Sequence, residues 1–455
     1  MRASTEAEKL GLPTASVVCQ GFATQGSMTA AGLGMPNLPT AAYPGNIAFS
    51  SPEDLQKNVA AVTVGQVVKS LTVQPKEVKA APEPGPRDIV FTGTFEEVNR
   101  FFYGKEWSDG LPIVPPSIEG VEEFLRYTGR SAGEVIGVLL PDKREATVWS
   151  IAVNGVMAGC RPEYMPVLVA LVEAMADRRF GQEHLGNTPG PEALITINGP
   201  IIKELGFNYE QGALRVGFQA NTTIGRFWRL YLRNMAGFLP HKTDKGTFGG
   251  TFRVVLAENE DAVARIGWEP MSVDQGFRAG ENVVTVGACT ESNQALQSGA
   301  PTAEEILNRI SARIVDNQLF VGMALMGERT RPQIIVTPCL AEAIARAGYA
   351  KEKVRRYFFE HARIPVNRLR SLDRERLDSG IERGILPAEF SESKDPDRRI
   401  PLVISPDDFM IAVSGDPDRD HAYICCPNGF IGYPVSKKIE LPANWKELLS
   451  RAKRA

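Results

Sequence analysis

The sequence predicts an α/β protein that begins with a partial Rossmann-like half-domain and continues into a larger mixed α+β domain. Short β-like runs alternate with amphipathic helical runs along the chain. A Pro-rich, charged segment separates the first part from the rest. The chain of 455 residues is long enough to form two or three hydrophobic cores.

Residues 1–73 alternate between strand and helix patterns. The run "TASVVCQGF" is β-like, and the helix in "SSPEDLQKNVAAVTVGQVVKSL" has Ser51 as N-cap and Pro52 in its first turn. A strand-helix unit of about 70 residues buries too little surface to be stable alone. We therefore expect an incomplete α/β half-domain that a partner chain completes.

Three further segments follow. Residues 74–88 form the Pro-rich linker, residues 89–270 a central α+β domain, and residues 271–455 a C-terminal α/β domain. The central domain opens with a T-x-x-E capping box at Thr94 and Glu97. No internal repeat is apparent in the sequence.

Composition excludes several classes of partner and cofactor. The net charge of -3 predicts no nucleic-acid partner, and the longest apolar run, "VLVALVEAMA", is too short for a bilayer. Charges near the N-terminus argue against an export signal, so we expect a cytoplasmic protein with reduced thiols. The four histidines have no metal-ligand spacing and no dinucleotide or P-loop fingerprint occurs, so the cofactor and any metal remain unknown. A metal shared with a partner chain stays open.

Cys160 is the first candidate site residue. It lies where one helix ends at Gly159 and the next begins at Pro162, and unpaired N–H groups at such a helix N-terminus favour a thiolate. Arg161 would add to this effect, whereas Glu163 would oppose it unless it accepts the proton. The alternative is a buried cysteine that packs as a small hydrophobe. Asn154 lies one turn before this joint.

A second candidate group lies in "QANTTIGRFWRLYLRN". Arg226, Arg229 and Arg233 follow i, i+3, i+7 spacing and share one helix face. The pattern predicts a carboxylate or phosphate site at the helix N-terminus with Arg226 as its partner, or else a solvated basic stripe. The expected capping residues are Asn221, Thr222 and Thr223.

The loop "EWSDGLPIVPPS" is the third candidate. Its prolines stiffen the backbone that presents Ser108 and Asp109. These two residues are candidates for acid and base chemistry, and a purely structural turn is the alternative.

The central domain resembles a family of bacterial proteins. The resemblance rests on "EWSDGLPIVPPS", "AVNGVMAGCRPEYMPVLVALVEA" and "NTTIGR" followed by "LRNMAG", and it covers about residues 94–270. It extends to "AIARAGYAKEKVRRYFFEHARIP" and "IAVSGDPDRDHAYI" in the C-terminal region.

Residues 4–71 resemble the back half of the UGSC-motif (seleno)protein family, in the stretch "AEKLGLPTASVVCQGF" through "GMPNLPTAAYPG". In that family a Sec-Gly-Ser-Cys or Cys-Gly-Ser-Cys segment comes before this stretch, and the sequence has no such segment. The resemblance implies redox chemistry at a residue that has no counterpart here. It also implies that a second subunit supplies the front half of the domain with its thiol or selenol.

These observations lead to one functional expectation and two alternatives. We expect a subunit of a hetero-oligomeric, thiol-dependent enzyme, a reductase or lyase, that cleaves or reduces a carbon–heteroatom bond of a small anionic substrate. The alternatives are a hydrolase or lyase that uses Ser, Asp and Glu with structural cysteines, and a non-catalytic binding subunit. The expected catalytic residues are Cys160, Glu163, Asp109 and Ser108. The expected substrate-binding residues are Asn154, Arg161, Asn221, Thr222, Thr223 and Arg226.

Overall fold

The N-terminal residues form one β-α-β unit. The computed structural model describes residues 1–73, 84–250, 252–296, 302–316, 331–372, 374–395, 397–427 and 433–454. Strands β1 (Ser16–Cys19) and β2 (Thr40–Tyr43) pair in parallel, with Ser16 opposite Thr40. The helices of this unit are α1 (Arg2–Lys9), α2 (Ala23–Gly32), α3 (Pro52–Asn58) and α4 (Val64–Thr72). Ser51 caps α3 through a bond from the Asp54 N–H, as predicted.

The predicted linker lies mostly outside the described residues, since the structure describes only residues 84–88 of it. These residues and the next few pack on the central domain. Arg87 lies 4.4 Å from the centre of the Trp149 ring, and the Phe91 ring stacks on Phe101. This part of the chain therefore packs against Phe101 and Trp149 of the central domain.

The central domain places helices around the first of two sheets. Its helices before the sheet are α5 (Phe95–Gly104), α6 (Ile118–Leu125), α7 (Val148–Ala158) and α8 (Met165–Ala176), and β3 (Val135–Leu139) pairs with β4 (Arg144–Thr147). The capping box of α5 is present as predicted. The apolar helices α7 and α8 are buried on nearly every side, which explains why their sequences carry almost no charge.

Among the described residues, two four-stranded sheets have the same architecture. The first has the order β14-β7-β5-β6 and the second β8-β13-β9-β12, and the pairings in both are antiparallel, antiparallel and parallel. The strands are β5 (Glu192–Asn198), β6 (Leu256–Ala257), β7 (Val283–Cys289), β8 (Glu291–Leu296), β9 (Gln333–Val336), β12 (Met410–Val413), β13 (His421–Cys426) and β14 (Val435–Lys438). A short antiparallel pair, β10 (Arg363–Pro365) with β11 (Arg399–Pro401), lies apart from them.

The two halves also exchange their edge strands. After β7 the chain crosses into the second sheet as β8, and after β13 it crosses back into the first sheet as β14. The structure thus contains an internal repeat of topology that is not apparent in the sequence. The sequence does not reveal this repeat, because only the order of the strands repeats and the loops between corresponding strands differ in length.

Two hydrophobic cores follow from this exchange. The first joins α7, α8 and α10 with β5, β7, β14 and the last helix, and the second joins α11 with β9, β12, β13 and the helices around them. Residues on both sides of the predicted boundary at 270 therefore share each core. The remaining helices are α9 (Ile201–Glu204), α10 (Gln219–Tyr231), α11 (Glu260–Arg265), α12 (Met271–Asp274), α13 (Ala303–Asp316), α14 (Pro338–Arg346), α15 (Lys351–His361), α16 (Val366–Leu372), α17 (Arg374–Glu382) and α18 (Trp445–Ala452).

The fold agrees with the predicted α/β class. Both sheets are mixed and each is covered by helices. Among the described residues, no helix has the length and apolarity needed to cross a bilayer.

Candidate functional site

The arginines of α10 line one cavity, as their spacing predicted. Arg226 and Arg229 lie on α10, and Arg233 lies on the π-helical turn Leu232–Ala236 that continues it. All three line a cavity of about 670 Å³, together with Asp109 and residues of the loop between Phe238 and Arg253. We call it the arginine cavity.

The N-terminus of α10 differs from the expectation. The helix begins at Gln219 with Phe218 as N-cap, so Asn221, Thr222 and Thr223 lie within the first turn and do not cap it. The reason is that Phe218 adopts an extended backbone and its carbonyl already accepts the N–H of Thr222. Asn221 is buried; its side chain accepts the Asn208 N–H and donates to the carbonyls of Asn208 and Val255. Only Thr222 of these three lines the arginine cavity.

Arg226 and Asp109 form a two-pronged ion pair across the cavity wall. Arg226 Nε lies 3.0 Å from Asp109 Oδ2, and Nη2 lies 2.9 Å from Oδ1. Burial by itself raises the pKa of the Asp109 carboxyl, but the hydrogen bonds and charge of Arg226 outweigh it and lower the pKa below the ordinary value. Asp109 is therefore ionised at neutral pH.

Ser108 holds the turn that presents Asp109. Its hydroxyl donates to the Leu111 carbonyl at 2.6 Å and accepts the Gly110 N–H, and Gly110 has a φ of 90°. A residue with a Cβ would be strained at that φ. Ser108 does not line the arginine cavity. The structure thus gives it a positioning role in the stiff loop.

Arg229, the second arginine of the cavity, forms ion pairs with two carboxylates. Arg229 lies 3.3 Å from Glu192 and 3.4 Å from Asp244. Glu192 is fully buried, and burial raises its pKa although Arg229 and two hydrogen bonds act in the opposite direction. This pair forms the wall behind the arginine cavity.

Three further cations of the cavity have no carboxylate partner. Arg233 Nε donates to the Glu106 carbonyl, and Lys245 Nζ donates to the Gly21 carbonyl. Arg233, Lys245 and Arg253 form no ion pair with any residue that the structure describes. Burial lowers the pKa of Arg233, although the charges of Glu106 and Asp109 act in the opposite direction, and the nearby Arg229 lowers it further. The cavity therefore has an excess of positive charge that an anion would neutralise.

Two residues of the cavity wall have unusual backbone angles. His241 has a φ of 65° and Arg253 a φ of 36°, in the left-handed region that residues with a Cβ avoid. Such conformations cost about 1–3 kcal/mol each and cluster at functional sites. Sequence reasoning missed this loop, although its glycine-rich run "GTFGG" was a signal for unusual backbone.

Cys160 lies close to the cavity but is not activated. It contacts Thr223 at the α7–α8 joint, where Gly159 has the left-handed φ of 78° expected of a helix C-terminus. Burial raises the pKa of the Cys160 thiol to about 12, against smaller opposing effects of Thr223 and Arg226. The expectation of a helix-stabilised thiolate is wrong, because the thiol is 8% exposed and desolvation outweighs the nearby charges.

Arg161 and Glu163 form a separate structural link. Arg161 Nε lies 2.6 Å from Glu163 Oε1, and Arg161 Nη2 donates to the Ala452 carbonyl at 3.1 Å. They tie the α7–α8 joint to the end of α18. Neither residue lines the arginine cavity.

Asn154 lies in a different cavity from Asp109. It accepts a hydrogen bond from Asn234 at 2.8 Å and lines a cavity of about 680 Å³ under residues 84–93. Asn234 also donates to the Trp107 carbonyl, which connects Asn154 to the loop of Asp109. Of the residues expected from the sequence, the structure thus places Asp109, Thr222 and Arg226 together in the arginine cavity. Among the described residues, no cluster of three or more His, Cys, Asp or Glu side chains is suited to hold a metal.

The N-terminal unit contacts the rim of this cavity. Besides the bond from Lys245 to Gly21, Gln25 Nε2 donates to the Thr243 carbonyl at 3.1 Å. Lys245 also lies 5.3 Å from the centre of the Phe22 ring. The turn that follows β1 and the start of α2 therefore adjoin the arginine cavity.

Comparison with known proteins bears on this N-terminal unit alone. No curated protein and no solved structure matches the chain. A sequence model of the family described as the UGSC family matches residues 1–73. The match supports the resemblance to the UGSC family that the sequence of this segment indicated.

Proposed function

We propose that this chain is a subunit of a thiol-dependent enzyme that cleaves or reduces a carbon–heteroatom bond in a small anionic organic substrate. The observation that carries the proposal is the arginine cavity, in which three cations form no ion pair with a carboxylate of the described residues. A substrate carboxylate would be held first by Arg233, which is less exposed than Arg253 and, unlike Lys245, presents a planar guanidinium to the carboxylate.

Arg226 and Asp109 would act together on such a substrate. An incoming anion competes with Asp109 for the guanidinium of Arg226, because both are planar acceptors for the same donors. Loss of that partner raises the pKa of Asp109 towards its ordinary value or above it, since the carboxyl is partly buried. Asp109 would then donate or accept a proton beside the bound substrate.

We propose that the reactive thiol comes from a UGSC segment of the partner chain and not from Cys160. The raised pKa of Cys160 leaves it protonated at neutral pH, and a thiol is a far weaker nucleophile than a thiolate. The N-terminal unit adjoins the cavity rim through Gly21 and Gln25. A thiol or selenol carried on a completed UGSC domain would therefore approach the arginine cavity from that side.

A second polypeptide is proposed to complete the N-terminal unit. Parallel sheets are normally covered on both faces, whereas Val17 of β1 is 53% exposed. Six apolar side chains of α3, of α4 and of the π-helical turn Val59–Thr63 between them are also left exposed, namely Leu55, Val59, Val62, Val64, Val68 and Leu71. A partner that adds strands and a helix would cover these groups. We expect the assembly in the cytoplasm.

Two other functions stay open, each with an observation in its favour. The neutral, buried Cys160 favours a hydrolase or lyase in which Asp109 supplies acid and base chemistry and the cysteines are structural. The ion pairs of Arg226 and Arg229 favour a subunit that binds the anion without converting it.

Anion binding is the direct test of the proposal. We expect malonate to bind the full chain in a calorimetric titration, and we expect Arg233→Gln to weaken binding about tenfold or more, because it removes one unpaired charge. Arg356→Gln, at an exposed position of α15 outside the cavity, is the matched control and should bind as the parent does. Equal binding by the parent and Arg233→Gln would overturn the proposed site.

The thiol and the partner are tested on the complex from the natural host. Native mass spectrometry should show a second polypeptide, and iodoacetamide should abolish activity unless substrate is present. Activity and its iodoacetamide sensitivity should persist in Cys160→Ala. A monomeric, fully active chain would contradict the partner, and an alkylated but fully active complex would favour the hydrolase or lyase.

A further inference from the structure

A third cavity, of about 570 Å³, lies where the two four-stranded sheets meet, and we call it the inter-sheet cavity. Its walls come from the β7–β8 crossing, from β13 and from the residues that follow β9 and β12. The proposed function does not use it. The Glu192–Arg229 pair separates it from the arginine cavity, because Glu192 lines the one and Arg229 the other.

The inter-sheet cavity lies at the carboxyl ends of two neighbouring parallel strands. Thr337 follows β9 directly, Ser414 and Gly415 follow β12, and all three residues line the cavity. In open α/β sheets this edge is where ligands bind, since the chain leaves the sheet there and opens a crevice.

The corresponding edge of the first sheet is closed. Glu258 follows β6 as Ser414 follows β12, but its buried carboxylate fills the space. It accepts hydrogen bonds from Asn198 Nδ2 at 2.6 Å, from the Met271 N–H at 2.7 Å and from the Val413 N–H at 3.1 Å. At the corresponding edge of the second sheet, Thr337 and Ser414 border the inter-sheet cavity.

The inter-sheet cavity has one cation, Arg215, with which a ligand could pair. Glu192 is compensated by Arg229, 3.3 Å away. Arg215 is exposed and forms no ion pair with any residue that the structure describes. A ligand with one negative charge would therefore pair with Arg215.

The remaining lining has a polar part and an apolar part. Tyr423 Oη donates to Ser292 Oγ at 2.6 Å, and the His421 side chain remains 36% exposed beside them. Phe252 and Ile335 supply apolar surface. This combination suits a molecule that has an apolar body and a second polar group.

We propose that the inter-sheet cavity binds a small organic monoanion, with its carboxylate at Arg215, its apolar body against Phe252 and Ile335, and a second polar group at His421 and Tyr423. The site is distinct from the one proposed for the substrate. Its occupant would bridge the two related halves of the molecule.

The probe for the test is para-trifluoromethylbenzoate, followed by fluorine NMR on the full chain. We expect saturable binding at millimolar concentration or below, and Arg215→Gln should weaken it about tenfold because the carboxylate loses its cation. Arg356→Gln is the matched control for loss of an exposed arginine, and Arg233→Gln reports on the arginine cavity. Arg356→Gln should bind as the parent does, and the bound-state resonance that Arg215→Gln weakens should be unchanged in Arg233→Gln. Equal melting temperatures show that the variants are folded.

Four results would overturn the proposal. They are equal binding by the parent and Arg215→Gln, loss of binding in Arg233→Gln in its place, equal binding of the neutral para-trifluoromethylbenzyl alcohol, and no binding of the benzoate. Because Arg233→Gln is tested separately with malonate, failure of this site and failure of the substrate site are distinguishable.

Discussion

The state of a cysteine depends on the balance between burial and charge around its sulfur. At Cys160 the balance favours the thiol, since burial raises the pKa to about 12 although Thr223 and Arg226 oppose it. Cys19 is only partly buried, at the end of β1. The two residues should therefore differ in reactivity within the same molecule.

We predict that iodoacetamide at pH 8 modifies Cys19 and leaves Cys160 unmodified in the folded protein. The reason is that alkylation needs an accessible thiolate, which Cys160 lacks. Peptide mapping by mass spectrometry measures both sites in one sample, and denatured protein, in which both should react, is the control. Modification of Cys160 at the rate of Cys19 would contradict the burial argument.

Asp109 links the stability of the site to pH. Its pKa in the folded protein lies below the ordinary value, because Arg226 outweighs the effect of burial. Stability from this group is therefore fully present above the unfolded pKa of about 3.9, and it is lost as pH falls through the folded pKa.

We predict that Asp109→Asn lowers the free energy of unfolding at pH 7 by about 1–3 kcal/mol, since Arg226 loses its partner. The difference from the parent should shrink as pH falls below about 4, where the parent carboxyl is protonated. Chemical denaturation between pH 3 and pH 7 measures this. Asp261→Asn, which breaks the exposed pair with Lys203, is the control and should cost less than about 1 kcal/mol. A difference that stays constant with pH would contradict the assignment.

The position of α10 depends on a close approach between backbones. An added Cβ at Gly225 would lie 2.4 Å from the Val254 nitrogen and 2.5 Å from the Arg253 carbonyl carbon. Glycine is therefore required there, and it brings the strained Arg253 against the helix that carries the arginines.

We predict that Gly225→Ala lowers the free energy of unfolding by about 1–3 kcal/mol, because the backbones must separate. Malonate binding should weaken too, since Arg253 moves with its backbone. Gly65→Ala on α4 is the control, because its Cβ would meet nothing within 4 Å, and it should stabilise the protein by up to about 1 kcal/mol. Thermal melts and calorimetry test both, and parental stability of Gly225→Ala would show that the contact is not tight.

Some of these elements could be predicted from the sequence because their determinants are local. The cap at Ser51, the capping box at Thr94 and Glu97, and the arginine face of α10 each depend on residues within two turns. The start of α10 could not be predicted from the sequence, because Asn221 donates to the distant carbonyls of Asn208 and Val255 instead of capping the helix. The N-cap is Phe218. The pKa of Cys160 could not be predicted either, since it follows from packing that no local pattern encodes.

At the scale of the whole molecule, the exchange of β8 and β14 joins residues from both sides of position 270 into shared cores. The predicted boundary at residue 270 separates segments that the fold unites, since β14 and α18 pack with β5 and β7. Val435, Ile439 and Trp445 are each at most 5% exposed in that first core. The C-terminal residues should therefore be needed for the stability of a sheet whose central strand lies more than 200 residues earlier.

We predict that deleting residues 433–455 prevents cooperative folding of the first sheet. Each large apolar side chain lost from the core costs about 1.5–3 kcal/mol, and several together approach the whole stability of a typical domain, about 5–15 kcal/mol.

Deleting residues 1–73 is the control. Although longer, that segment shares no apolar core with the sheets, and it contacts the rest of the chain through bonds such as Arg2 to Glu183. Circular dichroism melts should show a lost or broadened transition for the C-terminal deletion and a retained one for the N-terminal deletion. The reverse result would mean that the halves are independent domains and that the exchanged strand is dispensable.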